Sequence, residues 1–192
     1  DIITQTSQRE KTTMSIDDTY IVKQLKADTA KGFALLVKRY TEPIYWHIRR
    51  MVVSHDDAQD AMQETFIRIY RSVGNYDEIR SLSAWIYKIA THEALRIIGQ
   101  RKQDEVSADD RMALLDERAA DSYIDYSDAE AVRLQRAILA LPDKQQLAFN
   151  LRYYDNMSFA EIADVTDSTP ASAKTNYHIA KEKIIRYMNN HD

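Results

Sequence analysis

Between Leu141 and Ile185 the chain carries three successive apolar runs at helical spacing, each opened by its own start signal. The first holds Leu147, Leu151 and Tyr154, with Pro142 suited to a first helical turn, where its missing N–H is not needed. Asp155-Asn156 breaks that run. Ser158 then opens S-x-x-E with Glu161, a capping box that satisfies two otherwise orphaned N–H groups, ahead of Phe159, Ile162 and Ala163. Val165-Thr166-Asp167 makes a turn. Ser168 or Thr169 caps the next helix, and Pro170 stands at its first position. There Ala173, Tyr177, Ala180 and Ile184 form one narrow apolar stripe.

At about 100° per residue, Thr175 and His178 point away from that stripe. Ala171, Ser172 and Ile179 lie nearby, with Lys174 and Lys181 on one flank. Small residues permit close approach, hydroxyls and His meet base edges, and lysines meet phosphates. This is the pattern of a helix-turn-helix whose second helix reads a major groove. An ordinary helical hairpin with a polar outer face has the same spacing, so geometry alone leaves both readings open.

The rest of the chain agrees on fold class. Gly 3 and Pro 3 in 192 residues leave too little punctuation for strands and tight turns, so an all-α protein is expected. A polar leader, residues 1–14, is expected to be disordered. Ser15 to Asp18 looks like a helix start. A longer helix follows Thr29, carrying Phe33, Leu36, Val37, Tyr40, Ile44, Ile48, Met51 and Val52, and Pro43 is expected to kink it or end it early. Arg49 and Arg50 suit the negative end of that helix, or a phosphate.

Ser54 caps His55–Val73, with Asp56 and Asp57 in its first turn. Asp60 and Glu64 lie one turn apart on one side, as an acidic ridge suited to solvent or a partner. A loop, Gly74 to Arg80, leads to a helix capped by Ser81 or Ser83, with Trp85, Ile86, Ile89, Ala90, Ala94, Leu95, Ile97 and Ile98 apolar and Lys88, Arg96, Arg101 and Lys102 on its polar side. His92-Glu93 begins like a zinc-protease motif, but Arg96 stands where the second His belongs, so that reading fails.

Charge divides the chain. Residues 105–130 hold nine acidic and two basic side chains, net −7, within a total of -4, so the remainder is mildly basic. The patternless acidic segment reads as a flexible linker, residues 104–127, between a domain at 15–103 and another at 128–192. Phosphate contact needs local positive charge, not a basic total. Cys 0 removes disulfides, thiolate catalysis and cysteine zinc sites. With no nucleophile–base pair, phosphate loop or metal set, no enzyme, cofactor or metal is expected. No apolar run is long enough to span a membrane, and a cytoplasmic protein is the default.

Taken together, DDAQDAMQETFIRIY, SLSAWIYKIATHEALR, the acidic linker and LPDKQQLAFNLRYYDNMSFAEIA with SAKTNYHIAKEKI occur in the order that resembles the two-domain extracytoplasmic-function (ECF) sigma factors of bacterial RNA polymerase, in the sigma-70 superfamily. The resemblance implies a region 2-like helical bundle and a region 4-like helix-turn-helix domain. It implies binding to RNA polymerase core (beta-prime clamp and beta flap), to promoter DNA, and to a cognate anti-sigma factor, without membrane insertion. By position, Asp57, Asp60, Gln63, Glu64 and Phe66 fall on the polymerase-binding helix. Asn75, Tyr76 and Arg80 fall on the loop that captures an unstacked base of the -10 strand, and Lys88, His92, Arg96 and Arg101 on the strand-binding helix. Arg152, Ser168, Thr169, Ala171, Ser172, Lys174, Thr175, His178 and Lys181 fall to the -35 reader, with Trp85 in the core. The chain departs from the family at His92, Arg96, Asn176 and Ile179, the last expected to face a neighbouring helix.

The function implied is direction of polymerase core to promoters through the -35 and -10 elements, with opening of the -10 strand. The alternative is a helix-turn-helix regulator acting on duplex DNA without being a sigma subunit. The acidic linker is expected to thread a basic polymerase channel, so that neutralising Asp109, Asp110, Asp116 and Glu117 weakens initiation more than promoter-fragment binding.

Overall fold

The computed structural model describes residues 17–103 (the last three as backbone only) and 127–190. The expected leader and all but the last residue of the expected acidic linker lie outside the described residues. Among those described are eight α-helices, one short 3-10 turn and no strand.

Start signals set the element boundaries. Asp17 accepts a hydrogen bond from the Thr19 N–H to open α1 (Asp18–Ala27). Asp28 caps α2 (Thr29–Val52) through the Lys31 N–H. Pro43 neither ends α2 nor interrupts its helical assignment, a correction to the expectation of an early end. Where α1 folds back on α2, Gly32 is buried, and a Cβ there would overlap the backbone N and Cα of Leu25. At the corner after α2, Val53 is buried at φ 65°, a conformation that β-branched residues rarely take. Ser54 then caps α3 (His55–Ser72). The 3-10 turn Val73–Asn75 and a loop lead to α4 (Leu82–Gln103), which Ser81 caps through the Ala84 N–H.

The second group begins at α5 (Ala129–Leu139), capped by Asp128. Pro142 takes the N-cap of α6 (Asp143–Tyr153), one position before its expected place, because its extended ψ of 146° precedes the helix. The capping box at Ser158 and Glu161 is formed and opens α7 (Phe159–Val165). Thr169 caps α8 (Pro170–Asn189), with Pro170 at its first turn.

Helices α1–α4 pack around Ile21, Leu36, Ile44, Ile48, Ile69 and Ile86, all fully buried. A smaller core of Ala137, Ile138, Leu141, Phe149, Ala180 and Ile184 joins α5, α6 and α8. Sequence left open how the two groups sit in the free chain. In the structure they are closed on each other: α7 lies against α4, α6 touches α2, and the first core continues into Leu147, Leu151, Met157, Ile162 and Val165. Trp85 was expected in the core but is only partly buried at its edge, against Tyr76 at 5.0 Å.

Candidate nucleic-acid interface

The N-terminal half of α8 is the most open candidate surface. Ala173, Ala180 and Ile184 are buried, which turns Ala171, Ser172, Lys174, Thr175 and His178 to solvent. Lys181 is half-buried on the flank. Ile179 is 37% exposed, against the expectation that it faces a neighbouring helix. Other predicted members serve the scaffold. The Thr169 hydroxyl accepts from the Ser172 N–H at 3.1 Å, and Ser168 lies 2.9 Å from the Thr166 hydroxyl. Arg152 donates to the Met157 carbonyl at 2.8 Å and covers the Phe159 ring at 5.1 Å, so it shapes the link into α7.

On α3 the buried residues Ala58, Ala61, Thr65 and Ile69 turn Asp60 and Gln63 outward. Glu64 is half-buried and paired with Arg68 at 3.2 Å. Asp57 is half-buried, and Phe66 packs against the core. Sequence reasoning overlooked two side chains on the open face: Ile67 is 44% and Tyr70 56% exposed. Their signal was available, since Ile67 and Tyr70 fall seven residues beyond Asp60 and Gln63 on the same polar side.

The loop after α3 is ordered from within. Asn75 is exposed, the Tyr76 hydroxyl donates to the Arg80 carbonyl at 2.7 Å, and the Ile79 N–H donates to Asp77 at 3.1 Å. Ile79 itself is 92% exposed. An apolar side chain so presented suits the face of a splayed base. Beyond the loop, α4 turns Lys88, His92 and Arg96 towards one side. Arg96 is partly occupied: buried Glu93 takes it at 2.9 Å and Arg68 at 2.6 Å. The side chain of Arg101 lies outside the described residues.

Lys88 and His92 do not face open solvent alone. Asp167, in the turn between α7 and α8, accepts from Lys88 at 2.5 Å and lies 3.8 Å from His92. Lys88, first through its hydrogen bond, holds the Asp167 carboxyl below the usual range. Arg80 lies 3.8 Å from Asp164, and Ser81 donates to Glu161 at 3.1 Å. Deeper in the seam, Asp155 accepts from Tyr87 at 2.8 Å and from Arg50 at 3.4 Å, and Arg50 covers the Tyr154 ring at 4.2 Å. Burial pushes the Asp155 carboxyl up to about 6, although Arg50 and Tyr87 pull the other way. His47, fully buried beside it, is brought down to about 3 by burial and by Arg50, so it is a neutral ring 3.9 Å from Asp155 and not half of an ion pair. Of these seam residues, His47, Tyr87, Asp155 and Asp164 were not singled out as site members in the sequence.

Two family models match the chain in order: Sigma-70 region 2 over residues 36–104 and Sigma-70, region 4 over residues 131–184. The ECF RNA polymerase sigma factor SigW of Bacillus subtilis is 30% identical over 176 residues, which cover 87% of this chain and 94% of that protein. The chain belongs to the ECF sigma factors.

Other curated relatives of this sigma factor include the RNA polymerase sigma-H factor of Pseudomonas aeruginosa, 29% identical with 87% of this chain and 91% of the relative covered. The sigma-E factor of Escherichia coli K12 is 26% identical, with 88% and 93% covered. Among solved structures, CnrH in complex with the cytosolic domain of CnrY aligns with a TM-score of 0.68 at 18% identity, covering 91% of this chain and 99% of CnrH. The sigma factor RpoE from Bartonella quintana, in complex with the anti-sigma factor NepR, aligns at 0.65 and 16% identity, covering 84% and 99%. At these identities the structural likeness speaks for the all-α sigma fold alone. Among the described residues no group of side chains is placed to hold a metal, and no helix is long and apolar enough to cross a membrane.

Proposed function

We propose that residues 15–103 bind polymerase core and the -10 strand, that residues 128–192 read the -35 element, and that the chain thereby directs polymerase to specific promoters from the cytoplasm. The exposed α8 face, with Ala171, Ser172, Lys174, Thr175 and His178 free of the stripe that anchors the helix, carries this reading. Lys174 and Lys181 meet phosphates while Thr175 and His178 meet base edges. Asp60, Gln63 and Glu64, together with exposed Ile67 and Tyr70, form a mixed acidic and apolar strip for a basic surface of the clamp. The loop at Asn75, Tyr76 and Arg80 pockets an unstacked base, and Lys88, His92, Arg96 and Arg101 track its strand. The polymerase does the covalent chemistry; this chain supplies no catalytic group. Complexes of CnrH with CnrY and of RpoE with NepR support a cognate anti-sigma partner here too.

Purified full-length protein with sigma-free core polymerase on a promoter library tests the reading. Specific initiation, lost in Thr175→Ala and His178→Ala through -35 recognition and in Lys88→Ala through strand opening, is the expected result. A duplex shift without polymerase, and no initiation with it, overturns it in favour of a plain helix-turn-helix regulator.

A further inference from the structure

His178 is exposed on the α8 face, yet two rings stand against its own. Phe159, the first residue of α7, meets the His178 ring at 6.4 Å between centroids with a tilt of 46°. Tyr177 meets it at 5.5 Å, edge to face. Both distances lie in the range of attractive ring pairs, about 4.5–7 Å.

The two walls come from different helices, and each is itself held. The capping box of Ser158 and Glu161 fixes the start of α7, where Phe159 stands. Arg152, reaching from α6, donates to the Met157 carbonyl at 2.8 Å and covers the Phe159 ring at 5.1 Å. Tyr177 packs on Phe159 at 5.8 Å and lies near-parallel to Phe149 at 6.1 Å, beside the smaller core. A continuous chain of contacts thus runs from the scaffold to the imidazole on the reading face.

An exposed side chain on a helix ordinarily samples several staggered rotamers, and a base contact must freeze one of them. A neutral imidazole carries one donor and one acceptor nitrogen, so it tells base edges apart only when its plane is fixed. We propose that Phe159 is a positioning residue for -35 recognition: with Tyr177 it sets the plane of the His178 ring before DNA arrives, and Arg152 braces Phe159 from α6. The inference rests on the reading of α8 as the -35 helix and adds a determinant that acts through another side chain. Arg152, given to the DNA by position, then also acts through Phe159.

Two measurements on the full chain test it. In the free protein, nuclear magnetic resonance signals of the His178 ring, identified by their absence in His178→Ala, report whether neighbouring rings hold it. Phe159→Leu keeps apolar bulk at the start of α7 but removes the ring. It should move these signals towards those of an unstructured histidine, while the protein still unfolds cooperatively. With sigma-free core polymerase added, competition between promoter duplexes altered one base pair at a time gives a preference at each -35 position. His178→Ala should flatten the preference at one or two neighbouring positions. Phe159→Leu should lower it at the same positions by about two- to tenfold, the cost of freezing one mobile side chain on binding. The double variant should be no flatter than His178→Ala alone. Phe159→Tyr keeps the ring and should keep both the signals and the preference.

Unmoved His178 signals in Phe159→Leu, an equal loss at every position, losses that add in the double variant, or a Phe159→Tyr variant that behaves as Phe159→Leu would each overturn the proposal and leave the -35 reading intact. Failure of the wild-type chain to bind core, or base preferences unaltered by His178→Ala, would instead overturn the reading of the α8 face, and with it the purpose given to Phe159.

Discussion

Asp155 and His47 set up a pair of opposed titrations that can be separated by substitution. In the native protein the Asp155 carboxyl is raised from 3.8 to about 6, first by burial. Between about pH 4 and 6 the unfolded chain has lost that proton and the native chain holds it. Native stability therefore falls as pH rises through this window, by about 1.4 kcal/mol per pH unit and about 3 kcal/mol in all. His47 does the reverse. Its ring is lowered from 6.5 to about 3, so below pH 6.5 the unfolded chain takes up a proton that the native chain refuses, and stability is lost as pH falls. Over the shared window the two slopes cancel. Asp155→Asn replaces a carboxyl that is already neutral there in the folded protein, so His47 should remain as it was. The variant should lose about 3 kcal/mol relative to wild type on going from pH 6 to pH 4. His47→Gln should gain a similar amount over the same range. Urea unfolding at half-unit steps, with the slopes compared between variants, removes the contributions of the other carboxylates. Parallel stability–pH curves for wild type and Asp155→Asn would refute the reasoning.

Three further substitutions test separate parts of the fold. Gly32→Ala would drive a Cβ into the Leu25 backbone and should cost at least the roughly 1–3 kcal/mol typical of overpacking, whereas Gly74→Ala, with nothing near its added carbon, should not (thermal unfolding). Ser158→Ala removes half of the capping box and should cost about 1 kcal/mol, read as a fall in urea midpoint with an unchanged slope. Arg50→Met alone should destabilise by about 3–5 kcal/mol by leaving buried Asp155 without its cation, while Arg50→Met, Tyr87→Phe and Asp155→Leu together should be neutral or stabilising. A triple variant as unstable as the single one would mean that the seam is held by its polar groups after all.

What the sequence made legible was local. Ser54, Ser158 and Thr169 each cap the helix they precede, because a capping bond joins residues only three apart. The α8 face followed from the stripe Ala173, Ala180 and Ile184, all buried. Pro43 does not end its helix, because that helix gains more from burying Tyr40, Ile44 and Ile48 than one missing N–H removes. Arg152 and Thr169, placed on the DNA face by position, also serve the scaffold, because the Met157 carbonyl and the open N-terminus of α8 lie within reach of their side chains. The seam was illegible for a different reason. Arg50 and Asp155 are 105 residues apart, and Lys88 and Asp167 are 79 apart. On their own helices Arg50 and Lys88 look like any solvated cation, and no spacing rule links them to a carboxylate across the chain.

The chemistry of the seam also sets it apart from the interior of each lobe. Within each lobe the helices meet mainly through apolar side chains such as Ile44, Ile86 and Ile138, with a few buried polar groups such as Thr91 among them. Between the lobes Leu147, Leu151 and Ile162 meet the same core, but beside them stand a carboxylate whose ionised form burial disfavours by about 3 kcal/mol and an imidazole kept neutral by burial. Opening lets water reach both, which offsets part of the apolar area that opening exposes. A closed state favoured 99:1 lowers the apparent affinity of a partner for the open form by about 100-fold, and each further 1.4 kcal/mol of closure would lower it tenfold again. An apolar seam of the same size would therefore hold the lobes beyond the reach of a partner. The buried carboxylate and its partners therefore make this boundary easier to open than an apolar seam of the same size.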